Sequence, residues 1–161
     1  MTIFFKRLKV GHPEPLSMPP DAANSWKTYT VLESRQPQSC MTRADIAALN
    51  SNDRQDARTS FIALVNRAQT GEPLTALYDK TRCHEAFTFK PFGNSPNTVK
   101  VWRIWGAGAI RMYFIYHNKN IILLRTMAKR TQKLSKGDIG EIGTIAKSVL
   151  NAFQSLSLRI V

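Results

Sequence analysis

The chain predicts an α+β fold of two N-terminal helices, a mainly antiparallel sheet of about four strands, and a C-terminal helix. Three observations carry this expectation. Ala57, Phe61, Leu64, Val65 and Ala68 recur at helical spacing. From Glu85 the pattern turns to period two, in four runs separated by short turn sequences. Ile139, Ile142, Ile145, Ala146, Val149, Leu150 and Phe153 then form a second helical stripe.

Each element has a local cause. Pro13, Pro15, Pro19 and Pro20 remove backbone donors and oppose helix and central strand, so residues 1–24 read as a proline-rich N-terminal arm and residues 25–161 as the folded domain. Trp26 to Leu32 alternates as a first strand does. Thr42 with Asp45 three positions on has the form of a helix start, with Ile46, Ala47 and Leu49 as its short buried face. Asn52 with Gln55 is the expected cap of the longer helix, which Gly71 and Pro73 stop.

Strands are expected over 85–89, 99–105, 110–116 and 121–127, with Gly106-Ala107-Gly108 and the run from His117 to Asn120 as turns. Symmetric closure of the second turn sets Arg111 opposite Thr126, Tyr113 opposite Leu124 and Met112 opposite Arg125, with Arg111 and Tyr113 on one face. Ser135 with Asp138 opens the last helix, whose Gly137, Gly140 and Gly143 read as positions of close packing. Leu156, Leu158 and Ile160 alternate like an edge strand.

At 161 residues and 43% hydrophobic content the chain fits one ordinary domain. Cys40 and Cys83 lie far apart and form no C-x-x-C pair, which points to free thiols in a reducing compartment and away from a zinc site. The run Ile3-Phe4-Phe5 is cut at once by Lys6 and Arg7, too short for a signal core, and no stretch approaches a membrane span. A cytoplasmic location is expected, with no membrane partner.

Charge is the strongest functional signal. Between Ala86 and Gly137 there is no Asp or Glu, yet ten Lys and Arg residues supply most of a net charge of +12. These cations alternate with Val, Ile, Trp and Tyr, as on a cationic sheet surface, which suits a polyanion such as nucleic acid. Arg103 and Arg111 stand out because each interrupts a strongly apolar strand and must find an anion or open solvent. Trp105 and Tyr113 lie two residues from those arginines and so point to their side, placed to stack on bases. His84 adjoins Cys83, but strand neighbours face opposite ways, which argues against a nucleophile-base pair. No Walker loop, Ser-His-Asp ordering or metal-spaced cluster occurs, so no metal and no cofactor is expected.

The segment Val101-Trp102-Arg103-Ile104-Trp105, Gly106-Ala107-Gly108, Ile110 to Phe114, Ile121 to Arg125 and Met127 to Lys133 resembles the RelE/HigB superfamily of bacterial toxins, in particular its HigB-like, phage-derived branch. The likeness covers residues 85 to about 150 and extends more loosely to Trp26. It implies a RelE-like α+β fold with an antiparallel sheet, and metal-independent cleavage of mRNA, directly or on the ribosome. It also implies inhibited translation and neutralisation by an acidic antitoxin protein.

Carried onto this chain, the family's roles make Arg111 the holder of the scissile phosphate with Arg103 beside it. Lys129 and Arg130 become further catalytic cations, and Lys100, Trp105, Tyr113, Arg125, Lys133 and Lys136 become contacts to nucleic acid. The chain departs from the family in having no Tyr or His after Lys133, which leaves proton transfer to Lys129 or Tyr113, or the activity altered or lost. The alternative is a non-catalytic nucleic-acid-binding module, or a ParE-like gyrase inhibitor, on the same scaffold.

Overall fold

Apolar runs rich in Val, Ile and Tyr fold side by side as strands, because their branched and aromatic side chains pack on both faces of a pleated sheet. The computed structural model describes residues 3–7, 25–36, 39–91, 97–129, 134–154 and 158–160. The elements are β1 (Ile3–Arg7), β2 (Lys27–Leu32), α1 (Met41–Ala47), α2 (Ser51–Gln69), α3 (Leu74–Leu77), β3 (Cys83–Phe89), β4 (Val99–Trp105), β5 (Ile110–His117), β6 (Asn120–Ala128), α4 (Lys136–Gln154) and β7 (Leu158–Ile160).

The fold is α+β, but the expected antiparallel sheet of about four strands is overturned. Seven strands in the order β3-β4-β5-β6-β2-β1-β7 make one mixed sheet. β3 to β6 form the antiparallel meander, while β2 lies parallel to β6 and β7 parallel to β1. A parallel neighbour requires a long crossover, and the segment between β2 and β6 supplies it. The helices expected at the N-terminus therefore follow two strands, and a short α3 joins them. β1 falls inside the stretch read as an arm, whose prolines lie outside the described residues.

The two faces have separate cores. Ala57, Phe61, Leu64 and Ala68 of α2, with Leu74 of α3, bury Ile104, Met112, Phe114, Ile121 and Leu123. Ile142, Ala146 and Val149 of α4 bury Val31, Val101, Ile115, Ile122 and Leu124 on the opposite face.

Helix ends follow local chemistry, with shifts from expectation. Asn50, rather than Asn52, caps α2, its Oδ1 accepting from the Asp53 N–H at 2.8 Å. α1 begins at Met41 with no side-chain cap, so Thr42 is a buried first-turn residue. Ser135 Oγ accepts from the Asp138 N–H at 3.0 Å and caps α4. Gly140 and Gly143, expected to permit close packing, have nothing within 4 Å of an added Cβ.

The β5–β6 hairpin turns through Asn118 and Lys119, both at positive φ. A bulge at Leu124 then shifts the ladder, so that Arg111 pairs with Met127, Met112 with Thr126 and Tyr113 with Arg125. Symmetric closure, which ignored the bulge, placed each of these one residue off. In the other turn, an added Cβ at Gly106 would collide with the Ser60 side chain, and Gly108 has φ +54. Ser60 Oγ accepts from the Ala107 N–H at 2.8 Å, fixing the turn against α2.

Candidate functional site

The strand ladder assembles one polar patch. β4 pairs Trp105 with Arg111 and Arg103 with Tyr113, and β3 sets His84 opposite Arg103. Paired residues share a face, so these five side chains lie together on the α4 side of the sheet.

Both arginines are buried, Arg103 at 5% exposure and Arg111 at 4%. The Arg111 guanidinium lies 4.0 Å from the centre of the Trp105 ring, and its Nη1 donates to the Ile110 carbonyl at 3.3 Å. Arg103 Nη2 donates to His84 Nε2 at 2.5 Å and to the Thr81 carbonyl at 3.4 Å. The Nε atom of each arginine is buried without a hydrogen-bond partner. Among the described residues no carboxylate pairs with either one. Burial, reinforced by the nearby Arg103, lowers the pKa of Arg111. Two cations out of water with open donors and no counter-charge are costly, and an anion would offset that cost.

The neighbours are arranged around that deficit. Trp105 is fixed by an Nε1 bond to the Gly108 carbonyl at 2.6 Å. Tyr113 is 2% exposed, and burial pushes its phenol up to about 12 against the pull of both arginines, so it is protonated at neutral pH. His84 Nδ1 lies 3.0 Å from the Glu85 carbonyl oxygen. Since arginine can only donate, the consistent tautomer carries its proton on Nδ1 and turns the Nε2 lone pair toward Arg103. Comparing His84 only with its chain neighbour Cys83 missed this role. The available signal was cross-strand register, which places His84 against Arg103.

Other expected site residues are engaged elsewhere. Arg125, expected as a nucleic-acid contact, is tied internally: its Nε meets both Asp45 oxygens at 2.9 and 3.1 Å, and its Nη1 meets Glu141 at 2.5 Å. Lys129, expected as a catalytic cation, pairs through its Nζ with Asp138 at 2.9 Å. Lys129 is the first cause of the lowered Asp138 pKa. Lys100 pairs with Glu85 at 3.4 Å, both exposed, and Lys136 is exposed in the first turn of α4. Arg130 and Lys133 lie outside the described residues.

Among the described residues no group of three or more His, Cys, Asp or Glu side chains forms a metal cluster, and no helix is long and apolar enough to cross a membrane. No protein-family model, curated protein or solved structure matches the chain, so the geometry of the patch is the evidence for its role.

Proposed function

We propose that this chain is a metal-independent endoribonuclease, the toxin of a type II toxin-antitoxin pair, which cuts ribosome-bound mRNA and inhibits translation. The observation that carries the proposal is the buried pair Arg103 and Arg111, whose Nε atoms have no hydrogen-bond partner and which meet no carboxylate among the described residues. A phosphodiester is the anion that suits two forked guanidiniums on an otherwise apolar sheet.

The chemistry follows from the geometry. Once the phosphate takes over Arg103, the His84 Nε2 lone pair that had accepted from it is free to take the proton of the 2′-hydroxyl, whose oxygen attacks phosphorus. The bond to the 5′-oxygen breaks, leaving a 2′,3′-cyclic phosphate. Arg103 and Arg111 hold the non-bridging oxygens as charge grows on the pentacoordinate phosphorus. The protonated Tyr113 phenol gives its proton to the departing oxygen. His84 thereby supplies the proton acceptor that the region after Lys133 lacks. The resemblance of residues 85 to about 150 to RelE/HigB toxins supports mRNA as substrate and an acidic antitoxin as partner, drawn to the cationic face.

Induced expression with primer extension on cellular transcripts tests the proposal. Wild type is expected to arrest growth and leave discrete mRNA breaks, and Arg111→Ala to do neither. Equal effects from both would remove Arg111 from the mechanism. Blocked supercoiling with intact transcripts would favour the gyrase alternative.

A further inference from the structure

The β4–β5 turn binds both members of the Trp105–Arg111 pair. Its Gly108 carbonyl accepts from Trp105 Nε1 at 2.6 Å, and the Ile110 carbonyl just beyond accepts from Arg111 Nη1 at 3.3 Å. The same Ile110 carbonyl receives the Gly106 N–H at 2.9 Å, which closes the turn. The Arg111 guanidinium is thus held by a ring face at 4.0 Å and one carbonyl, while the like charge of Arg103 pushes against it. A shift of the turn moves both supports together.

The turn is itself fixed from the opposite core. Ser60 is 2% exposed on the buried stripe of α2, among the apolar Ala57, Phe61 and Leu64. Its hydroxyl donates to the Asp56 carbonyl at 2.7 Å, back along the helix, and accepts from the Ala107 N–H at 2.8 Å. Alanine at this position would leave that N–H without its acceptor. The backbone approach is equally close, since a Cβ at Gly106 would strike the Ser60 side chain and one at Gly108 would strike Asp56. Arg82 Nη1 also reaches the Gly106 carbonyl, at 3.4 Å, but that side chain is 52% exposed and paired with Asp79. The buried serine is the firmer brace.

We infer that Ser60 is a positioning residue for the proposed cleavage: by fixing the β4–β5 turn it sets the Trp105 ring and, through ring and turn together, the Arg111 guanidinium that meets the phosphate. The inference rests on the patch being directed at RNA, and it extends the site to a residue of the other core that never touches the substrate. A guanidinium displaced by about 1 Å can cost up to about a hundredfold in rate, so a distant brace has kinetic weight.

The test compares the full-length wild type with Ser60→Ala, Val65→Ala and Arg111→Ala. Val65 is buried on the same helix at 4% exposure, so Val65→Ala loosens the α2 core without removing the brace. The arginine Nε–H resonances of labelled protein report the position of Arg111, whose signal is identified by its absence from Arg111→Ala and shifted by the Trp105 ring. Cleavage of translated mRNA in a reconstituted translation reaction is followed below the melting temperature of every variant. Ser60→Ala and Val65→Ala are both expected to melt earlier than wild type. Only Ser60→Ala is expected to move the Arg111 resonance toward that of an ordinary arginine, and to slow cleavage about ten- to a hundredfold.

The inference is overturned if the Arg111 resonance stays in place in Ser60→Ala, or if Val65→Ala moves it as far. It is overturned equally if the resonance moves and cleavage keeps its wild-type rate. Should wild type and Arg111→Ala act alike on mRNA, the proposed function fails, and the resonance alone then decides whether Ser60 sets Arg111.

Discussion

Arg111 is expensive to keep. Its guanidinium is buried beside a second cation, and replacing it with an apolar side chain of similar length removes that cost. Arg111→Met is expected to raise the free energy of unfolding by about 1–4 kcal/mol and, under the proposed function, to lower RNA cleavage by about 10²–10³-fold. Urea melts and primer extension read the two effects. Arg125 should behave in the opposite way, since its loss strands the largely buried Asp45 and unpairs Glu141. Arg125→Ala is expected to lower stability by about 2–4 kcal/mol in the same melts. In sequence the two arginines look alike, each set in an apolar strand. Arg103 and Arg111 were legible as site candidates because their surroundings are apolar. The partner that ties Arg125 internally sits 80 residues away, and no local pattern announces it. His84 was hidden for the same reason, its meaning depending on the strand beside it.

The meander from β3 to β6 was readable because hairpins are local: alternation marks the strands and short polar or glycine turns join them. Its register was not, because a bulge leaves no periodic signature and here adds Leu124 to one strand only. β1 escaped because its apolar residues were weighed only as a signal core, while its partners are β2 and β7. The turn between β4 and β5 offers a test at this scale. Gly106→Ala drives a methyl into Ser60, which also holds the Ala107 N–H. Its stability in urea is expected to fall by about 1–3 kcal/mol, with Trp105 displaced.

Across the molecule, folding redistributes the charge that the sequence segregates. Among the described residues, three cations of the acid-free stretch are matched by acids from outside it: Lys100 by Glu85, Arg125 by Asp45 and Glu141, and Lys129 by Asp138. Net charge pointed to a polyanion, and three-dimensional pairing leaves Arg103 and Arg111 buried with no carboxylate partner among the described residues.

The cores also set an alkaline limit. Burial raises the Cys83 thiol from 9.0 to about 11 and the Tyr113 phenol from 10.0 to about 12, and lifts Tyr78 and Tyr116 as well. Folding favours the protonated form of each, so their contribution is whole below about pH 9 and drains away as pH climbs toward about 12. Thermal melts across that window should show a falling melting temperature, and a flat profile would contradict the burial of these groups.

The strand order carries a practical consequence for handling the protein. β1 and β7 occupy the sheet margin away from the arginines, with β1 four strand spacings, about 19 Å, from β4. A reporter or an immobilising linker joined through that margin leaves the arginine-bearing end of the sheet unobstructed, so surface-based titrations can orient every molecule alike.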